Sequence, residues 1–171
     1  TVSNIFVTGN TTGTGHQIAS QLGGFNHRIF GNRIRRCYID ARPAAGLSGG
    51  GSIVGLFMTQ NSPGAQIYNN VIDSFWVVNS NNLSTTGNIW GINVQTTGVY
   101  DIYNNYIADF FTPHTNSTNN MFGISANTTA TPTVFNIYHN TIRFGRTGVL
   151  TGTASTSAFG GAGIFFQNSA T

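Results

Sequence analysis

The chain has 171 residues, room for one domain with a real core, and carries a net charge of +3. Its 39% hydrophobic and 12% aromatic residues exclude a disordered chain, and the lone Cys37 excludes an intrachain disulfide framework or a multi-cysteine metal site. Only 6% of residues are charged, against roughly 25% in ordinary globular proteins, and Lys and Glu are absent.

Seven Arg and four Asp supply every formal charge, so the surface must be built from Asn, Thr, Ser, Gly and Gln. Such a composition is unusual for a cytosolic enzyme and common in extracellular surface proteins. The pI near 9.4 does not point to nucleic acid, because five of the seven Arg fall between Arg28 and Arg42 and no basic stripe runs along the chain. No 18-residue apolar run offers a membrane span. The sequence begins at Thr1 with neither an initiator Met nor a signal peptide, as a processed or excised segment would.

In chain order, "NIFVTGNTT" from Asn4 reads as an imperfect copy of an apolar strand that returns later. "FNHRIFGNRIRRC" (Phe25 to Cys37) opens a second pattern, repeated as "PGAQIYNNVIDSFW" from Pro63, "VYDIYNNYIADFF" from Val99 and "TVFNIYHNTIRFG" from Thr133. Its Ile29, Ile67, Ile102 and Ile137 are spaced 38, 35 and 35 residues apart, and Ile34, Ile72, Ile107 and Ile142 follow five positions later. Between the two sets stand Asn32, Asn70, Asn105 and Asn140. Alternating with this pattern are "IVGLFM" from Ile53, "IWGINV" from Ile89, "MFGISA" from Met121 and "GAGIFF" from Gly161. Period-two alternation in these elements predicts strands with Val54, Leu56 and Met58 on one buried face. Trp90, Ile92 and Val94 are the matching set in the next copy, then Phe122, Ile124 and Ala126, then Ala162, Ile164 and Phe166.

Repeats of this length with no 3.6-period segment have no crossover helices, so equivalent strands must stack directly on one another. The prediction is an all-β, right-handed parallel β-helix (solenoid) of about four coils. Residues 1–171 form one such domain, either part of a longer solenoid or a fibre subunit. The "IYNNxI" and Gly-apolar strands resemble the parallel β-helix repeats of pectate-lyase-like proteins, and most of all Asn/Thr-rich secreted surface proteins of bacteria. The likeness runs from Asn4 to Asn168 and specifies a fold that hosts lyases, hydrolases, adhesins and fibres alike.

Stacked Asn at a corner supply donor and acceptor at each step, so Asn32, Asn70, Asn105 and Asn140 are expected to form a ladder that also takes the left-handed backbone of the corner. Phe30, Tyr68, Tyr103 and Tyr138 adjoin inward Ile and are expected to face outward, as a shield of mutually stacked rings or a surface for a glycan or a partner. Arg35 and Asp73 occupy equivalent positions in adjacent coils and are expected to pair. The aromatic pairs Phe75-Trp76 and Phe110-Phe111 are expected beneath the variable loops.

The resemblance to pectate lyases implies clustered acids on calcium, and to the fold's hydrolases paired Asp about 5 to 9.5 Å apart. Here Asp40, Asp73, Asp101 and Asp109 are scattered, with Asp40 and Asp109 expected towards loops. His16, His27, His114 and His139 are scattered too, His139 standing where Asn69 and Asn104 stand in other copies. No catalytic residue, cofactor or metal site is therefore expected. Asn10, Asn82, Asn116 and Asn127 match the N-glycosylation pattern, at the frequency expected by chance in so Asn- and Thr-rich a chain.

No capping segment stands out, and the first and last segments read as the same phase of the coil, so copies placed end to end would continue one solenoid. The expectation is a secreted, non-enzymatic structural or adhesive protein, extracellular or at a bacterial cell surface, whose partners are copies of itself. The alternative is a carbohydrate-binding or polysaccharide-cleaving β-helix contacting surface polysaccharide along the tyrosine strip.

Overall fold

The computed structural model describes residues 2–9, 16–20, 26–41, 51–59, 64–78, 87–112, 121–128, 133–144 and 162–168. Every regular element among them is a strand: β1 (Val2–Gly9), β2 (His16–Ser20), β3 (Arg28–Phe30), β4 (Arg33–Ala41), β5 (Gly51–Met58), β6 (Ala65–Tyr68), β7 (Val71–Val78), β8 (Gly87–Val94), β9 (Gly98–Tyr103), β10 (Tyr106–Phe111), β11 (Met121–Thr128), β12 (Thr133–Tyr138), β13 (Thr141–Arg143) and β14 (Ala162–Asn168).

The strands form three parallel sheets, each built from every third strand. Sheet A runs β1-β4-β7-β10-β13, sheet B runs β2-β5-β8-β11-β14, and sheet C runs β3-β6-β9-β12. One coil is a strand of sheet C, then A, then B, which makes four coils of a parallel β-helix preceded by the half-coil β1-β2. Sheet C is thus one strand shorter than the other two.

Register aligns the repeats residue for residue. Ile29 lies beside Ile67, Ile67 beside Ile102, and Ile102 beside Ile137. Ile34, Ile72, Ile107 and Ile142 are aligned the same way in sheet A. The middle members of both columns are fully buried, and each such side chain contributes roughly 2–3 kcal/mol of transfer free energy.

Sheet B departs from simple alternation. Ile53, Leu56 and Met58 join the core cluster, as do Ile89, Ile92 and Val94 and, in the next coil, Met121 and Ile124, whereas Val54 and Phe122, though buried, and the half-buried Trp90 stand outside it. The cause is the glycine at the third position. A Cβ on Gly91 would lie 2.6 Å from the Gly123 carbonyl oxygen and 2.8 Å from Ile107 Cγ2, and one on Gly55 would lie 2.6 Å from the Gly91 carbonyl oxygen and 3.0 Å from Ile72 Cγ2. The glycine sits on the inner side of a bend where backbones approach too closely for a side chain. Two consecutive inward positions result, and Phe122 turns to the opposite face to stack on Phe165, with centroids 4.5 Å apart.

Sheet A bends by another device. Arg36, Ser74 and Asp109 hold φ of 56°, 59° and 56° in the middle of their strands. After this left-handed residue Cys37, Phe75 and Phe110 point inward, three positions beyond Ile34, Ile72 and Ile107. Phe75 and Phe110 therefore stack in the core, 5.4 Å apart, and do not pack beneath loops as expected; Trp76 and Phe111 are half-buried.

The first strand also differs from expectation. "NIFVTG" pairs with β4 in sheet A, with Ile5 beside Cys37 and Val7 beside Ile39, and the sheet B neighbour of β5 is β2. The described strands therefore begin in sheet A and end in sheet B, not at one phase of the coil.

Candidate functional site: the corner ladder and the outer face of sheet C

Each turn from sheet C to sheet A is made by two residues with separate tasks. Gly31, Asn69, Asn104 and His139 take the left-handed backbone, with φ of 66°, 53°, 52° and 53°. The following Asn is free to bond along the stack. The sequence reading gave both tasks to one Asn; the structure divides them, because a side chain reaching the next coil must leave a backbone that is not itself in the turn.

The ladder is regular and has a direction. Asn32 donates its backbone N–H and its Nδ2 to Asn70 Oδ1, at 3.1 and 3.0 Å. Asn70 does the same to Asn105 Oδ1, and Asn105 to Asn140 Oδ1. The second Nδ2 hydrogen points back one coil, from Asn70 to the Ile29 carbonyl, from Asn105 to that of Ile67 and from Asn140 to that of Ile102, at 2.8–2.9 Å. Asn70 and Asn105 are 1% exposed, so these bonds satisfy groups that water cannot reach.

The ends of the ladder differ from its middle. Asn32 turns its second Nδ2 hydrogen to the Phe30 carbonyl at 3.3 Å, and Asn140 donates to the Tyr138 carbonyl at 3.1 Å. Among the described residues, no donor reaches Asn32 Oδ1 and no acceptor takes the Asn140 N–H.

Two residues before each ladder Asn, the aromatic column stands on the outer face of sheet C. Phe30, Tyr68, Tyr103 and Tyr138 are stacked at 5.0, 4.9 and 5.0 Å with interplanar angles of 6°, 1° and 2°. The spacing follows from the roughly 4.8 Å rise per coil. Each inner ring has both faces covered by its neighbours and offers only its edge and hydroxyl. Partial burial in the stack pushes the Tyr103 hydroxyl up from its ordinary pKa. The Tyr68 and Tyr138 hydroxyls and the Asp101 carboxylate act in the same direction, opposed by Arg28.

Beside the rings runs a polar column of Arg28, Gln66, Asp101 and Asn136, in which Asn136 Nδ2 donates to Asp101 at 2.8 Å. Val99 and Val134, 42% and 48% exposed, complete the face.

The carboxylates are not brought together. Asp73 is 5% exposed, accepts from Arg35 Nε at 2.7 Å, as the register of their repeats predicts, and from Ser74 Oγ at 3.0 Å. Asp101 is aligned with Gln66 and Asn136, and Asp40 with Thr8 and Val78. Asp40 and Asp109 lie within β4 and β10 and not towards loops, because the left-handed bend lets sheet A strands run on past the motif. Asp109 Oδ1 is 4.0 Å from the Arg143 guanidinium. Among the described residues no three His, Cys, Asp or Glu are grouped for a metal ion.

His139 makes the corner, His27 precedes β3 with a buried Nε2 that lacks a partner, His16 lies in β2, and His114 lies outside the described residues. Asn10, Asn82 and Asn116 lie outside them as well, and Asn127 lies in β11. No helix is long and apolar enough to cross a membrane among the described residues.

Comparison of the chain with family models, with curated proteins and with solved structures returns no match. The parallel β-helix is thus defined by the repeat and its stacking alone.

Proposed function

We propose that this β-helix is a structural or adhesive module of a secreted protein, extracellular or at a bacterial cell surface, which associates end to end with copies of itself and carries no catalysis. One observation supports this reading above the others. At the last coil the inward columns end open: Ile164 and Phe166 are 43% and 58% exposed, whereas Ile92, Ile124 and Val94 beneath them are fully buried. Among the described residues no strand pairs with the outer edges of β12, β13 and β14 at this apolar end, and a surface nearly without charge lacks the usual protection against strand addition. In such a stack β13 and β14 of one copy meet β1 and β2 of the next, so sheets A and B continue across the junction. Sedimentation velocity of the protein and of Phe166→Asp tests it. Concentration-dependent growth that the variant abolishes is expected; monomers of both at every concentration would remove the reading.

The second reading, a carbohydrate-binding or polysaccharide-cleaving module, draws on the exposed polar column of Gln66, Asp101 and Asn136 beside the rings. Its weakness is geometric. Sugars stack on ring faces, and the faces of Tyr68 and Tyr103 are taken by their neighbours. Titration with soluble polysaccharides, read by tyrosine fluorescence, separates the two readings: a saturable change lost in Asp101→Ala favours the second.

A further inference from the structure

The six tyrosines of the chain all lie among the described residues, and stacking sorts them into two kinds. Tyr38 is aligned with Phe6 and Trp76, Tyr100 with Ala65 and Phe135, and Tyr106 with Val71 and Thr141. Only Tyr68, Tyr103 and Tyr138 have another tyrosine beside them in the stack, at 4.9 and 5.0 Å with ring planes 1° and 2° apart. We propose that this triplet is a site of oxidative modification, at which Tyr103 is joined to Tyr68 or to Tyr138 by a bond between ring carbons ortho to the hydroxyls, a dityrosine. The site lies within one chain and does not rest on the stacking of copies.

The geometry supplies what such coupling needs. A tyrosyl radical spreads its unpaired electron over the oxygen and the ortho carbons, and two radicals must meet before either is quenched. Parallel rings one coil apart hold like atoms at the coil spacing, so the ortho carbons of Tyr103 stand about 5 Å from their counterparts in Tyr68 and Tyr138. The covered faces shut out a planar guest, but the edges that carry the hydroxyls and ortho carbons are open to an oxidant. Tyr138 is 44% exposed, and Tyr68 and Tyr103 are half-buried. Closing the remaining gap takes rotation about χ1 and χ2 on an outer face, with no movement of the buried Ile67 and Ile102 beside them. Phe30 ends the column as a ring without a hydroxyl and takes no part.

The oxidant is hydrogen peroxide acting through a haem peroxidase. Each of two phenols gives up one electron and its hydroxyl proton. The radicals pair their ortho carbons, and the hydrogens on those carbons pass to the oxygens as the rings regain aromaticity. Two electrons and two protons go in all to one peroxide, which leaves as two waters. Either link joins residues 35 positions apart, one coil to the next, so the unfolded chain loses the freedom of that loop and the crosslinked helix resists unwinding.

Treatment of the full chain with a plant haem peroxidase and hydrogen peroxide, at dilutions where it sediments as a single species, tests the site. Dityrosine fluorescence gives the yield, and mass spectrometry of a peptic digest locates the links. Links from Tyr103 to Tyr68 or Tyr138 are expected, in a yield per chain independent of protein concentration. The yield should fall at least tenfold in Tyr103→Phe, which leaves Tyr68 and Tyr138 two coils apart. Tyr68→Phe should leave the Tyr103–Tyr138 link alone, and Tyr106→Phe should change nothing. Each variant keeps a ring in place, and Phe30 already fills one level of the column, so folding is preserved; circular dichroism checks this. Absence of dityrosine, an unchanged yield in Tyr103→Phe, links mapped to Tyr38 or Tyr106, or a yield that grows with protein concentration would each overturn the proposal. So would the same pattern of links in the urea-unfolded chain.

Discussion

Asn70 donates two hydrogen bonds to a single atom of Asn105, its backbone N–H at 3.1 Å and its Nδ2 at 2.9 Å to Oδ1. With the bond from Asn105 Nδ2 to the Ile67 carbonyl, three hydrogen bonds tie two neighbouring coils at one corner, in a place where water does not compete. Removing the amide leaves several buried groups without partners, each costing about 1–3 kcal/mol. Asn105→Ala should therefore lower stability by about 3 kcal/mol, and Asn32→Ala, at an exposed end of the ladder, by less than about 1 kcal/mol. Urea unfolding of both variants measures the difference. Equal losses would mean that the ladder does not hold the corner.

The glycine column makes a second graded prediction. Gly91 has a carbonyl and an Ile methyl within 2.8 Å of where a Cβ would lie, whereas at Gly163 the nearest atom is 3.8 Å away. Gly91→Ala should cost about 2–3 kcal/mol by overpacking, and Gly163→Ala should be near neutral. Paired melting curves decide it; a tolerated Gly91→Ala would show that the bend relaxes freely.

Much of this architecture is written in the sequence. The two Ile columns, the ladder positions, the outward rings and the Arg35–Asp73 pair all follow from repeat spacing and period two, because stacking places equal positions together. The bends were not legible in the same way. Period-two reasoning put Val54, Trp90 and Phe122 on the same face as Leu56, Ile92 and Ile124, whereas all three stand outside the core cluster even though Val54 and Phe122 are buried, and it left Phe75 and Phe110 for loops. Both errors come from one residue per strand that shifts the phase, the inner glycine in sheet B and the left-handed Arg36, Ser74 or Asp109 in sheet A. The signal was present as a step of three between Ile72 and Phe75, and again between Ile107 and Phe110. The place of β1 was hidden for a related reason: its Gly falls at the end of the strand, so its likeness to the Gly-apolar elements was superficial.

Alkaline pH should loosen the tyrosine column. Because Tyr103 has a raised pKa in the folded chain, its contribution is fully present below the ordinary tyrosine value and is lost as pH rises through the folded one. Stability should fall above about pH 10, and less steeply in Tyr103→Phe. Denaturant midpoints between neutral and alkaline pH measure the two slopes; identical slopes would mean that the ring is not held against its neighbours.

The buried Asp73 depends on Arg35, whose side chain is 44% exposed. Among the described residues Arg35→Met leaves the carboxylate with only Ser74 Oγ, and a loss of about 1–2 kcal/mol is expected, below the range for fully buried pairs. Asp73→Asn with Arg35→Met should recover part of it in a double-mutant cycle. Strict additivity of the two changes would deny the coupling.

End-to-end assembly is the central claim, and electron microscopy of concentrated protein with diffraction from aligned material tests it most directly. The account predicts filaments whose axis carries a repeat near 4.8 Å, the rise of one coil. Compact single particles at high concentration, with no such repeat, would contradict it.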